Sequence, residues 1–491
     1  MGYCTLNTSS GPKFKPRQRL KVDHDPIYPP VHKDKITITI LLTPFNRAAL
    51  VLAIISIQIF VHIYLSNLYL SVGDGFLPLI PASVTTSCRE GLVYVYELPK
   101  SFNTDLLSGR DALDNRFMIS EVYANAGFGP QVSSEFTSII PSRFVSAWYA
   151  TDQFAAELIF HRRMLYHQCR TSDPTIATAF YVPFYVGFAV DRHLWNKTAT
   201  PEQRDQDCSL LLRWLRDQPP FRRSNGHDHF LTVSRITWNF RRQPGENWGS
   251  SFFVMPEMQN VTRLIIERSP WDDMDVAIPY PTSFHPQSAM QLRDWQNFVL
   301  EQDRRILFGF AGATRPKIRG DFRILLNRSC EEAGPVACQS VDCTIIKCLH
   351  GSAETLDLFL NSNFCLQPKG DSLTRRSVFD CIIAGAVPVF FWRGTTRDQH
   401  SWFLPKEGKE DEWSVFIDRK KVRRGSINIR EVLEGIGEEK LRKMRERVVD
   451  MIPRLVYAAG ARGLGEGMDD AFDIALKGIF ARFEEQQKRW R

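Results

Sequence analysis

Residues 363–391, NFCLQPKGDSLTRRSVFDCIIAGAVPVFF, bring together the residue types that hold a diphosphate. Gly370, Asp371 and Ser372 lie in a polar loop, and Arg375 and Arg376 follow at what reads as a helix N-terminus. Free backbone N–H groups, the helix dipole and two guanidinium groups then converge on one place. Arg376 and Asp380 are four residues apart and share a helix face. Asp380 can accept from a ribose while Arg376 holds phosphate. A plainer reading fits the same residues. Ser377 and Asp380 match a capping box in its Ser-x-x-Asp form. Arg376 with Asp380 also reads as an ordinary surface ion pair. These residues alone leave both readings open.

The surrounding pattern must position that loop. Residues 364–366 form a short apolar strand, 377–384 a helix that Gly385 can end, and 388–391 a second strand. Upstream, residues 305–311 (RILFGFA) read as a strand running into the turn Gly312-Ala313-Thr314-Arg315, again closed by an arginine. An earlier set of elements precedes these. Strands are expected at 91–97, 179–184, 229–233, 252–254 and 276–278. Helices are expected at 151–168, with Phe154, Leu158 and Leu165 on one face, and at 209–216. A linker at 283–303 carries a helix over 289–301. Two charged or amphipathic helices, 429–452 and 469–487, close the chain. No internal repeat is visible. Alternating strands and helices predict two parallel α/β sheets. Ligands in such sheets sit beyond the carboxyl ends of the strands. The loops that matter are then 235–238 and 280–282 from the first unit, and 312–315 and 370–376 from the second.

The first ninety residues are of another kind. Residues 48–72 contain no Asp, Glu, Lys or Arg, which suits one membrane-spanning helix. Before them stand eight Lys/Arg and three Asp; residues 71–88 hold no Lys or Arg. The positive-inside rule places the N-terminus in the cytosol and the rest across the membrane. The chain carries +7 overall and the tail 8 − 3 = +5, leaving +2 for the remainder. So neutral a body argues against nucleic acid as a partner. Nine of the ten cysteines follow the span. In an oxidising lumen most are expected in disulfides, with at least one left over. Cys330, Cys338, Cys343 and Cys348 cluster, but their spacing matches no common zinc pattern. Sequons at Asn196, Asn260 and Asn327 fit a lumenal body. The expected organisation is a cytosolic tail (1–47), signal anchor (48–72), stem (73–88), first α/β domain (89–288), linker (289–303), second α/β domain (304–455) and C-terminal helix (456–491).

Seven ordered blocks between about residues 89 and 487 then resemble plant exostosin-domain glycosyltransferases, family 47, in the xyloglucan galactosyltransferase branch. They are VYVYELPKSFN at Val93, WYATDQFAAELIFHRRM at Trp148, AFYVPFYVGF at Ala179, HDHFLTVSRITWNFRR at His227, DVAIPYPTSFHP at Asp275, LFGFAGATRPKIRGDFR at Leu307 and the 363–391 segment. The resemblance implies a GT-B-like pair of Rossmann-type domains and a single-pass type II Golgi membrane protein. It implies inverting transfer from UDP-galactose to xylosyl side chains of xyloglucan, with no cofactor and no required metal. Other Golgi glycosyltransferases are the protein partners it suggests. It lends Gly312, Arg315, Gly370, Asp371, Ser372, Arg376, Ser377 and Asp380 a donor-binding role. Arg235, Trp238, Tyr280 and His285 fall on the acceptor side. The chain departs from the branch at Ala189, Ser234, Asn239 and Ala386, where Asp, Gly, Asp and Cys are usual. The last would account for the odd cysteine count.

Inverting transfer needs a base for the acceptor hydroxyl, donors for the leaving UDP, and alignment. Glu97, ending the first strand, is the leading base, with Asp191, Asp152, Asp228 and His285 as others. Asp152 also reads as a helix cap, Asp228 as a strand start and His285 as a linker residue. Trp148, Tyr149, Trp195, Trp238 and Tyr280 are candidate stacking surfaces for a polysaccharide. Two alternatives stay open. The same fold can use UDP-galacturonic acid, with Lys317 or Arg319 near the sugar, or UDP-arabinose, or a mannan acceptor. A non-catalytic Golgi scaffold is the other.

Overall fold

Strands rich in Val, Ile, Phe and Tyr build two wholly parallel sheets. The structure is a computed structural model. It describes residues 88–107, 123–132, 134–194, 196–344, 348 and 351–490, with the single position 58. The expected tail, membrane span (apart from Gln58) and stem up to Cys88 lie outside the described residues, as does Trp195. Among the described residues no helix is long and apolar enough to cross a membrane.

The first sheet contains β1 (Val93–Val95), β2 (Arg170–Thr171), β3 (Ala179–Tyr181), β4 (His229–Ile236), β5 (Thr262–Glu267) and β6 (Asp275–Ala277). The second contains β7 (Ile306–Gly312), β8 (Cys338–Asp342), β9 (Ser362–Gln367), β10 (Val387–Phe390) and β11 (Val415–Phe416). Their orders are 2-1-3-4-5-6 and 11-10-9-7-8. Counted from its own first strand, the second sheet therefore also runs 2-1-3-4-5. Each sheet reverses direction of winding once, between β1 and β3 and between β7 and β9. This structural repeat has no counterpart in the residue pattern. The central strands are buried on both faces, as helix-covered parallel strands must be.

The helices that flank these strands are α1 (Ala156–Tyr166), α2 (Val186–Leu194), α3 (Pro201–Arg216), α4 (Ala289–Leu300), α5 (Phe322–Ala333), α6 (Ala353–Asn361), α7 (Arg376–Ile383), α8 (Ile429–Glu434), α9 (Glu438–Asp450) and α10 (Ala471–Trp490). Local signals explain their ends. Thr200 and Gln203 form a capping box at α3, with Pro201 in the first turn. Gly385, at φ +71°, stops α7: it donates to the Ile382 carbonyl and Ala386 donates to that of Cys381. That pair of bonds is a Schellman motif.

Some expectations are corrected. Residues 252–254 form a 3₁₀ turn, not a strand; three residues closed by Met255 and Pro256 have no neighbouring strand to join. The helix expected over 429–452 is two helices, broken around Gly435 and Gly437. Leu165 of α1 is 38% exposed rather than part of the buried face. The last helix, α10, lies apart from the second sheet, as its own segment. It returns to the first, where Phe472 meets Phe160 and Phe483 meets Phe230.

Eight cysteines pair as Cys88–Cys169, Cys330–Cys338, Cys343–Cys348 and Cys365–Cys381. The clustered four are thus disulfides. The leftover thiol is Cys208, buried on α3 against the first sheet. Ala386 packs in the other core cluster, so it does not account for the odd count.

Candidate functional site

The carboxyl ends of β4, β5, β7 and β9 meet across a cleft of about 540 Å³. The second sheet contributes its switch point. The loop after β7 supplies Gly312 and Arg315, and the loop after β9 supplies Gly370, Asp371 and Thr374 to Ser377. This is where the crevice opens in a doubly wound sheet.

The 370–376 loop is held tightly. Gly370 donates its N–H to the Thr374 carbonyl at 3.2 Å, closing the loop on itself. Arg375 is extended and α7 starts at Arg376, with no side-chain cap. Ser377 is therefore inside the first turn, and the Ser-x-x-Asp capping box does not form. Its hydroxyl is buried without a hydrogen-bond partner among the described residues. Cys365–Cys381 ties β9 to α7 beneath it.

Five arginines line the cleft: Arg235, Arg315, Arg323, Arg375 and Arg376. Only three acidic side chains, Glu267, Asp371 and Asp380, line it with them. Arg315 pairs with Asp371 at 2.6 Å. Arg323 donates to the Ala313 carbonyl at 2.9 Å, and burial holds its pKa below the usual range. Arg375 is pushed down to about 9, by burial first and then by the charge of Arg323. One of its nitrogens donates to the Ala311 carbonyl at 2.7 Å. The other, Nη1, is buried with no partner among the described residues. Gly312 leaves it room: a Cβ there would stand 3.2 Å from that nitrogen. Crowded, partly unneutralised guanidinium groups of this kind favour an anion between them.

Arg376 lines the same cleft and also bridges its two sides. Its guanidinium donates to the Thr151 carbonyl and, at 2.9 Å, to Ser283 Oγ, both in the first unit, and faces Asp380 at 3.4 Å. It clasps the two halves of the cleft. Burial raises the Asp380 carboxyl above its usual range and Arg376 pulls it back. Ser372 is buried in the 370–376 loop.

On the first-unit side Arg235 pairs with Asp191 and lies 4.2 Å over the Phe154 ring. Beneath them Glu157 is wholly buried. Its Oε1 accepts from Gly187 N at 2.8 Å and Ser234 N at 3.0 Å. Burial pushes this carboxyl up to about 8, against those two bonds. Tyr280 lines the cleft and donates to Glu267 Oε1 at 2.6 Å. Trp248 and Asn239 line it as well.

Several expected residues lie elsewhere. Glu97 is exposed beyond β1 and is not part of the cleft wall, because the first sheet meets the cleft through β4 and β5, not through β1. Asp152 accepts from Phe154 N at 2.8 Å and Tyr123 Oη at 3.1 Å, shaping the turn before α1. Asp228 bonds His229 at the amino end of β4, the end away from the cleft. His285 is a core residue, fully buried between Thr151 Oγ1 (2.9 Å) and the Tyr457 carbonyl (2.7 Å). Burial pulls its pKa down to about 4, so it stays neutral. Trp238 stands beside Trp271, with ring centroids 6.1 Å apart, outside the cleft wall. Trp148 is packed against Trp295 in the core. Lys317 and Arg319 are exposed and do not line the cleft. Asn196 is exposed, its side chain folded onto Thr198.

Two doubly wound sheets closing on an arginine-rich cleft are the build of an enzyme that handles an anionic donor. The chain belongs to the exostosin GT47 family: the Exostosin GT47 domain matches residues 87–433. It is therefore a glycosyltransferase. It is 51% identical over 406 residues to the xyloglucan galactosyltransferase XLT2 of Arabidopsis thaliana, covering 82% of this chain and 77% of that protein. It is 36% identical over 423 residues to the xyloglucan-specific galacturonosyltransferase 1 of the same plant, covering 86% and 60%. Among solved structures, an α-glucosyltransferase in complex with UDP and a 13-mer DNA aligns at a TM-score of 0.33 and 11% identity, over 63% of this chain and 80% of that one.

Proposed function

We propose that this chain transfers galactose, with inversion, from UDP-galactose to xylosyl side chains of xyloglucan. The observation that carries the donor side is the crowded arginine set, with Arg375 Nη1 buried and unpartnered beside Gly312. Arg375, Arg315 and Arg323 would take the diphosphate and stabilise the charge that grows on UDP as it leaves. Asp380 and the buried Ser377 hydroxyl would take the ribose end. The first unit, through Arg235, Asn239, Trp248 and Tyr280, would receive the glucan. The arrangement supports a GT-B-like division of labour between the two sheets. The likeness to a named galactosyltransferase (51%) exceeds that to a named galacturonosyltransferase (36%). Lys317 and Arg319, the extra cations a uronic acid donor would want, do not reach the cleft wall. Both points favour a neutral hexose. We place the protein in the Golgi membrane as a single-pass type II enzyme, from the apolar run at 48–72 and the basic tail before it.

The test is direct. Full-length protein in detergent is incubated with desgalactosylated xyloglucan oligosaccharide and, separately, UDP-galactose, UDP-galacturonic acid or UDP-arabinose, with and without EDTA. Mass spectrometry reads the products. A hexose added from UDP-galactose, with or without EDTA, is the expected result. Product from either other donor instead would change the donor named here. A lumenal fragment should start before Cys88, since its disulfide to Cys169 closes the edge of the first sheet.

A further inference from the structure

Of the three acidic side chains lining the cleft, two are committed to arginine: Asp371 to Arg315 at 2.6 Å and Asp380 to Arg376 at 3.4 Å. Glu267 is the third, and it comes from the first unit, at the last position of β5. It is 2% exposed and forms no ion pair among the described residues. A neutral hydroxyl, that of Tyr280, donates to its Oε1 at 2.6 Å. Its Oε2 is buried and makes no hydrogen bond among the described residues. An acceptor oxygen so placed in a cleft wall is costly unless something fills it.

We propose that Glu267 is the general base of the transfer, with Oε2 taking the proton of the acceptor hydroxyl. The assignment rests on the glycosyl-transfer reading above. As the acceptor oxygen bonds to the anomeric carbon, its proton passes to Oε2. The bond from that carbon to the β-phosphate oxygen breaks, and its electron pair leaves with UDP. No oxidant or further reactant is needed. Tyr280 holds one carboxylate oxygen and leaves the other without a partner for the acceptor hydroxyl, the base–orienter arrangement of many activated sites. Ser372 and Thr374 of the 370–376 loop lie beside this carboxyl, so acceptor and anomeric carbon would meet where the first unit borders that loop.

The surroundings suit the task. Burial pushes the Glu267 carboxyl up to about 7; Tyr280, Ser372 and the backbone of Thr374 pull it back, and Asp371 raises it. Arg315, Arg323, Arg375 and Arg376 line the cleft from the second unit, and Arg235 lines it from the first, beside β5. A base works best with a pKa near the working pH. Burial also raises the Tyr280 hydroxyl well above its usual range, so it remains a donor.

The experiment compares full-length wild type, E267Q and E267D on one UDP-sugar and one acceptor, whichever pair the wild type uses. It records kcat, UDP affinity by calorimetry, thermal midpoint and the pH profile from 5 to 9. Gln keeps the acceptor for Tyr280 but takes no proton. We expect E267Q to lose about 10²- to 10⁴-fold in kcat, with UDP affinity and midpoint held. Wild-type kcat/KM should climb tenfold per pH unit to a plateau near 7. E267D should keep that climb at a lower rate, and E267Q should lose it. If E267Q keeps more than about a tenth of turnover, or keeps the acid limb, Glu267 is not the base. Parallel loss of UDP affinity and turnover would reduce it to a donor contact. Absence of hexose transfer by the wild type overturns the galactosyl reading instead, and is seen without any variant.

Discussion

Arg376, the first residue of α7, donates to the backbone carbonyl of Thr151, 225 residues earlier in the chain. The same guanidinium reaches Ser283 and faces Asp380. One side chain thus fixes α7 against the first unit. A planar fork can serve both partners together, and a lysine cannot. Arg376→Ala is expected to lower turnover about 10²-fold, the scale of a small misplacement of the groups that align the reactants. It should also lower the thermal midpoint, because a buried carbonyl and hydroxyl lose their donor. Arg376→Lys should rescue little of either. Steady-state kinetics and thermal unfolding of the two variants check this.

Arg375 should behave in the opposite way. Its charge is buried and poorly neutralised, with a pKa pushed down to about 9. Arg375→Met removes that cost while removing a phosphate contact. Weaker UDP binding, by about tenfold or more, should accompany an unchanged or higher midpoint. Calorimetric titration with UDP, set beside the unfolding curve, separates the two effects.

Glu157 sets a pH signature on stability. Its folded pKa, about 8, lies above that of an unfolded glutamate. The folded state therefore holds the proton more tightly, and its contribution is complete below the unfolded pKa. That contribution is lost as pH rises through the folded value. Wild type should melt lower at pH 8.5 than at pH 5.5 on this account. Glu157→Gln, which mimics the protonated group, should flatten that slope by about several degrees. Melting curves of both proteins across this range give the answer.

His285 sets the contrary slope at low pH. It is held neutral, with its pKa pulled down to about 4. His161, His167 and His400 are depressed to the same value by burial. Unfolded histidines take up protons below about 6.5, so stability is lost as pH falls from there toward 4. His285→Ala should lower the midpoint and leave a smaller acid slope. It should not raise KM for the acceptor in the folded fraction, since the ring is outside the cleft. Acceptor titrations at a temperature well below the midpoint test that separation.

How much of this the residues themselves show depends on the range of the interaction. The loop at 370–376 is legible because glycine, serine and two arginines before a helix act locally. The helix stop at Gly385 is legible for the same reason. The break at Gly435 and Gly437 carried a local signal too, overridden by the amphipathic pattern around it. Glu267 is not legible in that way. Glu97 and Glu267 both close apolar strands, and only the order of strands in the sheet decides which reaches the cleft. Arg376 reads equally well as a phosphate ligand until Thr151 is placed beside it. His285, next to a proline in an expected linker, gives no sign that Tyr457 will close over it. The cysteine pairs are likewise fixed by the fold, not by their spacing.

The return of α10 to the first sheet carries a consequence for biosynthesis. Phe472 and Phe483 complete the core under Phe160 and Phe230, yet they are made last. The first sheet and its helices would emerge from the ribosome with one apolar face uncovered and stay so until the chain is finished. Domains that can fold during translation usually do so from the N-terminus onward; here the earliest-made layer must wait for the final helix. A stop codon shortly before Ala471 would therefore spare the donor loop and still ruin the opposite half of the molecule.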